Sequence, residues 1–187
     1  MNMKFAKLGF QTKEGISLGH FQDGWSMEYG EGGSYHVEVL YKGKVVAEVF
    51  EEGNGGSAIV RYVDRNHKSI DKAVLDFLAR TEEDYGPNTK YSFCKEAIEK
   101  GEASDLEYTS MIQSLLDIYD YRKKAKTYFK KGYNLVLVAQ NDHSTSVAAS
   151  CDPRQDHLLE YAKKQGFIEP KTDITYLTPM DDLTKAI

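Results

Sequence analysis

The sequence predicts an α+β fold, because its hydrophobic period changes along the chain. Alternating runs rich in β-branched and aromatic residues fill the first third, and helical spacing takes over near residue 69. Glycine-bearing turns punctuate the first part, and a capping-box pattern opens the longest helical stretch. The expected architecture is an N-terminal antiparallel β-sheet of five or six strands over residues 1–66. A helical segment and a small β-β-α-β part follow over residues 67–187. No low-complexity linker separates the two parts, so they are expected to pack as one compact body.

Period-two patterning marks half-buried strands at Tyr35 to Tyr41, Lys44 to Phe50 and Ser57 to Val63. Lys42-Gly43 supplies a tight hairpin between the first two. Lys4 to Phe10, Ile16 to Phe21 and Trp25 to Tyr29 are shorter strand candidates. Ser69 or Asp71 is placed to cap a helix reaching about Asp84, with Ile70, Val74, Phe77 and Leu78 on one face. Gly86-Pro87-Asn88 breaks it, and a second helix runs from Lys90 to Lys100, ending at Gly101. Ser104 with Glu107 forms the capping box of the longest helix, which ends near Gly132. Its apolar stripe takes in Tyr108, Met111, Ile112, Leu115, Ile118, Tyr119 and Tyr128. Leu135 to Ala139 is a buried strand with Ser146 to Ser150 as its hairpin partner. A helix from Pro153 to Gln165 and a strand from Ile174 to Leu177 complete the order.

Composition narrows the function classes. With 187 residues, 41% hydrophobic and 28% charged, the chain is globular and long enough to bury a core without metal or disulfide. Cys94 and Cys151 lack C-x-x-C spacing and read as reduced, partly buried thiols. No cofactor and no metal are expected. A net charge of −5 argues against unspecific coating of nucleic acid, which needs many Lys and Arg contacts to phosphate. The first seven residues hold no uninterrupted apolar core, and no run approaches the roughly 20 apolar residues needed to span a bilayer. No membrane partner is expected, and a cytoplasmic location is.

Several constellations carry both a bland and a functional reading. Gly30-Glu31-Gly32-Gly33-Ser34 and Gly53-Asn54-Gly55-Gly56-Ser57 both fit G-x-G-G-S, as hairpin turns or as contact tips. Strands rather than helices follow them, which argues against a dinucleotide-type phosphate loop. His67-Lys68-Ser69 and His143-Ser144-Thr145 both match H-x-[ST], the pattern that two-histidine phosphoesterases use for paired acid–base catalysis. His67, Ser69, His143 and Thr145 are therefore the candidate catalytic set, although both histidines follow turn-like polar residues. Asp142-His143 with Ser144 or Cys151, and His157 with Glu160, have site-like residue types without a complete motif. Arg122, Lys123, Lys124, Lys126, Lys130 and Lys131 give the long helix a basic end. They either complement the helix dipole or form a phosphate-binding stripe aided by Tyr128 and Tyr133. Glu28, Glu31, Glu38, Glu48, Glu51 and Glu52 crowd the expected sheet, where they either protect an edge or imitate nucleic-acid phosphates before a basic groove. Glu28, Glu31, Glu48, Glu51, Glu52 and Asn54 are the candidate partner-binding set.

The run Val39-Leu40-Tyr41-Lys42-Gly43-Lys44-Val45-Val46-Ala47-Glu48-Val49, leading to Glu52-Gly53-Asn54-Gly55-Gly56-Ser57, resembles a hairpin module of small phage and integrative-element proteins. The resemblance covers about residues 37–63. In organisation the chain resembles the anti-CRISPR inhibitors of Cas9 within that group. The resemblance implies an inhibitor that binds Cas9, with or without guide RNA, in the cytoplasm of a bacterial host cell, and it carries over no functional residues. An acidic, tyrosine-rich chain suits the positively charged channel of such effectors. The basic helix end leaves room for guide RNA or DNA. A phosphodiesterase or nuclease acting on RNA, DNA or a cyclic nucleotide is the alternative, and a structural or virion-associated protein is the second alternative.

Overall fold

A computed structural model of the chain describes residues 5–22, 35–51, 58–63, 67–86, 88–141, 144–170, 172–181 and 183. The strands are β1 (Phe5–Ala6), β2 (Ile16–Gly19), β3 (Phe21–Gln22), β4 (Tyr35–Tyr41), β5 (Lys44–Glu51), β6 (Ile59–Tyr62), β7 (Leu135–Asn141), β8 (Ser144–Ser150) and β9 (Asp173–Leu177). The helices are α1 (His67–Thr81), α2 (Ser92–Lys100), α3 (Asp105–Lys130) and α4 (Gln155–Lys164), with a 3-10 turn at Glu83–Tyr85. The chain divides into two compact units, Met1–Leu116 with Thr184–Ile187, and Asp117–Leu183. The division falls inside α3.

In the first unit, β2, β4, β5 and β6 form an antiparallel sheet in the order β2-β4-β5-β6. Among the described residues its strand count is four, not the expected five or six. The alternation from Lys4 to Phe10 yields only the two-residue β1, which pairs with β3 as a separate ladder. The Trp25 to Tyr29 candidate lies outside the described residues. Lys42 and Gly43 have φ of 50° and 80°, so the β4–β5 hairpin has the two positive dihedrals of a type I′ turn. Ile16, Leu18, Val37, Val39, Ala47 and Val49 are all at most 1% exposed, which makes one sheet face part of the core. Each such valine, leucine or isoleucine side chain stabilises the fold by about 1.5–3 kcal/mol through burial.

α1 begins at His67, so Ser69 and Asp71 lie within it rather than capping it. Asp71 has other work: it is 2% exposed and accepts hydrogen bonds from the hydroxyls of Tyr62 on β6 (3.2 Å) and Tyr108 on α3 (2.9 Å). A buried carboxyl stays tolerable only when donors replace its water. The capping box forms as expected. Glu107 accepts from the Ser104 N–H at 2.8 Å and from its hydroxyl, and the Leu106 N–H donates to Ser104 Oγ. Glu107 is itself buried and also accepts from the Tyr85 hydroxyl at 3.2 Å. Cys94, on α2, is buried beside Tyr85, and burial pushes its thiol pKa up. Cys151 is a free exposed thiol, not the partly buried one expected.

In the second unit, the sheet order is β8-β7-β9. β7 is antiparallel to both neighbours, so β8 and β9 are parallel and α4 connects them across the central strand. Both faces of β7 are covered. Leu135, Leu137 and Ala139 pack with Leu158 and Ala162 of α4, while Val136 and Val138 pack with Ala125, Tyr121, Tyr128 and Phe129 of α3. An uninterrupted apolar run is what a strand buried on both sides requires.

Candidate protein-binding face

The sheet of the first unit buries one face and opens the other. Register places three rows across the open face. The first is His36, Phe50 and Ile59; the second is Gly19, Glu38, Glu48 and Arg61; the third is Ser17, Leu40 and Val45. Period-two geometry puts these side chains opposite the buried Val37, Val39 and Val49. Ile59 is 47% exposed and Val45 37%, so apolar surface flanks the charged row.

Glu38 and Glu48 face each other directly across the β4–β5 pair. Like charges at such a position cost roughly 0.2–1 kcal/mol. Each carboxylate has a nitrogen-bearing partner on its outer side. His20 Nδ1 lies 2.7 Å from Glu38 Oε2, and Arg61 lies 3.9 Å from Glu48 while stacking over the Phe50 ring at 5.3 Å. A backbone φ of 50° at His20 follows directly on Gly19, where an added Cβ would meet Leu40 at 2.9 Å. Side-chain bulk at position 19 would press on Leu40 and Glu38, the residues of the open face.

Of the residues singled out for partner binding, Glu48 lies on this face. Glu28, Glu31, Glu52, Asn54 and the Glu51 side chain lie outside the described residues, as do both G-x-G-G-S segments. His20, Phe50, Ile59 and Arg61 join the face without having been singled out. Extending the alternation of β4 across the register of its neighbours identifies them.

The basic end of α3 is not one continuous stripe. Helical spacing groups Arg122, Lys123, Lys126 and Lys130 on one side, with Lys124 and Lys131 on another. Arg122 donates to the Leu183 carbonyl at 2.9 Å, and Lys123 sits over the Tyr119 ring at 5.6 Å. Tyr128 and Tyr133 meet edge to face at 5.3 Å, with Tyr128 against the apolar cluster under α3.

The histidine pair is divided between the units. His67 is the first residue of α1, its side chain outside the described residues. His143 also lies outside them, in the β7–β8 connection. Ser69 is exposed on α1, and Thr145 pairs with Gln140 across β7 and β8. His157 Nδ1 lies 3.2 Å from Asp152, whose carboxylate is gripped by the Arg154 guanidinium and held well below its usual pKa. Among the described residues, no group of three or more His, Cys, Asp or Glu is placed to hold a metal ion. None of their helices is long and apolar enough to cross a membrane. Compared with family models, curated proteins and solved structures, the chain matches none.

Proposed function

We propose that this chain is an inhibitory binding protein of a mobile genetic element that blocks a host nucleic-acid-handling effector, most specifically Cas9. The observation that supports this reading is the open sheet face, where Glu38 and Glu48 sit side by side among half-exposed Phe50, Leu40 and Ile59. A rigid sheet carrying paired carboxylates with apolar flanks suits a basic protein groove, because the apolar area supplies affinity and the charges supply steering. The hairpin that bears these residues is the segment resembling the mobile-element module. Lys126 and Lys130, exposed on α3, offer a separate contact to RNA or DNA phosphates.

The test is comigration of the chain with Cas9, with and without guide RNA, across a salt series. The expected result is a stable complex that weakens as salt rises and is lost in the Glu38→Arg/Glu48→Arg double variant. Failure to comigrate at any concentration, in either form of Cas9, overturns the proposal.

A further inference from the structure

We infer that β8 is the seat of a two-fold association between two copies of this chain. The inference stands apart from the inhibitor reading, because it uses the second unit alone. Sheet edges are ordinarily protected from pairing by charges, proline, bulges or short length. β8 has none of these protections. It runs for seven residues, as long as the central β7, and reads Ser-Thr-Ser-Val-Ala-Ala-Ser without a charge or a proline. Its register with β7 is continuous from Ser144 to Ser150, so no bulge turns the edge aside. Among the described residues, no strand pairs with its outer side. In the two larger sheets the other outer strands are less open to pairing: β9 carries Asp173, β6 is four residues long and carries Arg61, and β2 is four residues long.

The same seven residues suit self-pairing. An antiparallel pair of β8 strands centred on Val147 sets Ser146 against Ala148, Thr145 against Ala149 and Ser144 against Ser150. Every pair joins small uncharged residues, so neither bulk nor like charge opposes the register.

The flank of α4 supplies a second observation. α4 packs on β8 and β7 through Leu158 and Ala162, and Leu159 on one flank is partly buried against the same cluster. At about 100° per residue, Tyr161 falls on the flank opposite Leu159, and it is 51% exposed. A two-fold axis perpendicular to the sheet keeps both copies of α4 on one face. It brings each Tyr161 towards the partner's helix, where an amphipathic ring is a favoured contact.

Sedimentation velocity of the full chain over a range of concentrations tests this, together with amide hydrogen exchange in β8. The expected results are a monomer–dimer equilibrium, and exchange in residues 144–150 that slows as concentration rises. Ser146→Lys and Tyr161→Glu should each weaken the dimer about tenfold or more. Tyr161→Glu alters an exposed side chain, so it decides the matter should Ser146→Lys disturb folding. A chain that stays monomeric at all concentrations overturns the inference, even if β8 takes up a strand of some other protein. A dimer that Tyr161→Glu leaves intact and that gives β8 no concentration-dependent protection overturns it equally.

Discussion

Replacing Tyr108 by phenylalanine removes one oxygen atom from a site at 0% exposure and leaves the ring, and so the packing, in place. The lost hydroxyl donates to Asp71 over 2.9 Å, in a position where water cannot replace it. A hydrogen bond to a charged group contributes about 1.5–3 kcal/mol, so Tyr108→Phe should cost about 2 kcal/mol. Tyr62 gives an internal comparison. Its hydroxyl reaches the same carboxyl oxygen over 3.2 Å from a ring that is 36% exposed. Tyr62→Phe should therefore cost about 1 kcal/mol or less. The double variant strips Asp71 of both tyrosine donors and should cost about 3–5 kcal/mol, more than the sum of the singles. Urea unfolding at neutral pH, followed by circular dichroism with midpoint and slope fitted together, measures each value. A smaller loss for Tyr108→Phe than for Tyr62→Phe, or additivity in the double variant, would refute the idea that Asp71 ties β6, α1 and α3 together.

The remaining expectations concern the same unit and the histidine pair. Burial, then the neighbouring Asp71, pushes the Tyr62 hydroxyl from 10.0 up to about 12. The protonated form is thus the one the fold favours. Its contribution is complete below about pH 10 and is lost as pH rises from 10 to 12, and stability against pH in Tyr62→Phe should fall less steeply across that window. Ser104→Ala removes the cap of α3 and frees Glu107 from one partner, which should cost about 1–2 kcal/mol in thermal or urea unfolding. Purified chain should turn over neither RNA, DNA nor cyclic nucleotides; turnover abolished by His143→Ala would instead favour the hydrolytic reading.

Local chemistry was legible in the sequence, and long-range chemistry was not. Ser104 and Glu107 lie three residues apart, so their box could be read directly, and the same holds for the Lys42-Gly43 hairpin. The unbroken apolar run from Leu135 announced a strand covered on both sides. Asp71 shows the limit. Its partners are 9 and 37 residues away, so a carboxyl near a helix start looked like a cap. Arg122 likewise reads as one member of a basic run, yet its guanidinium holds a carbonyl 61 residues distant. The open sheet face was half visible, because alternation separates inside from outside within one strand. Which residues meet across strands depends on register, and the irregularity between Val39 and Leu40 shifts that register partway along.

The crossover in the second unit has a consequence for synthesis on the ribosome. β7 and β8 emerge together and can close as a hairpin at once. The other side of β7 must wait until α4 and the residues after it have been made, since β9 fills it. During that interval a strand with five consecutive apolar residues offers a bare row of amides and carbonyls to any neighbour. Lengthening the interval between emergence of Leu135–Ser150 and emergence of Asp173–Leu177 should therefore lower the yield of native protein.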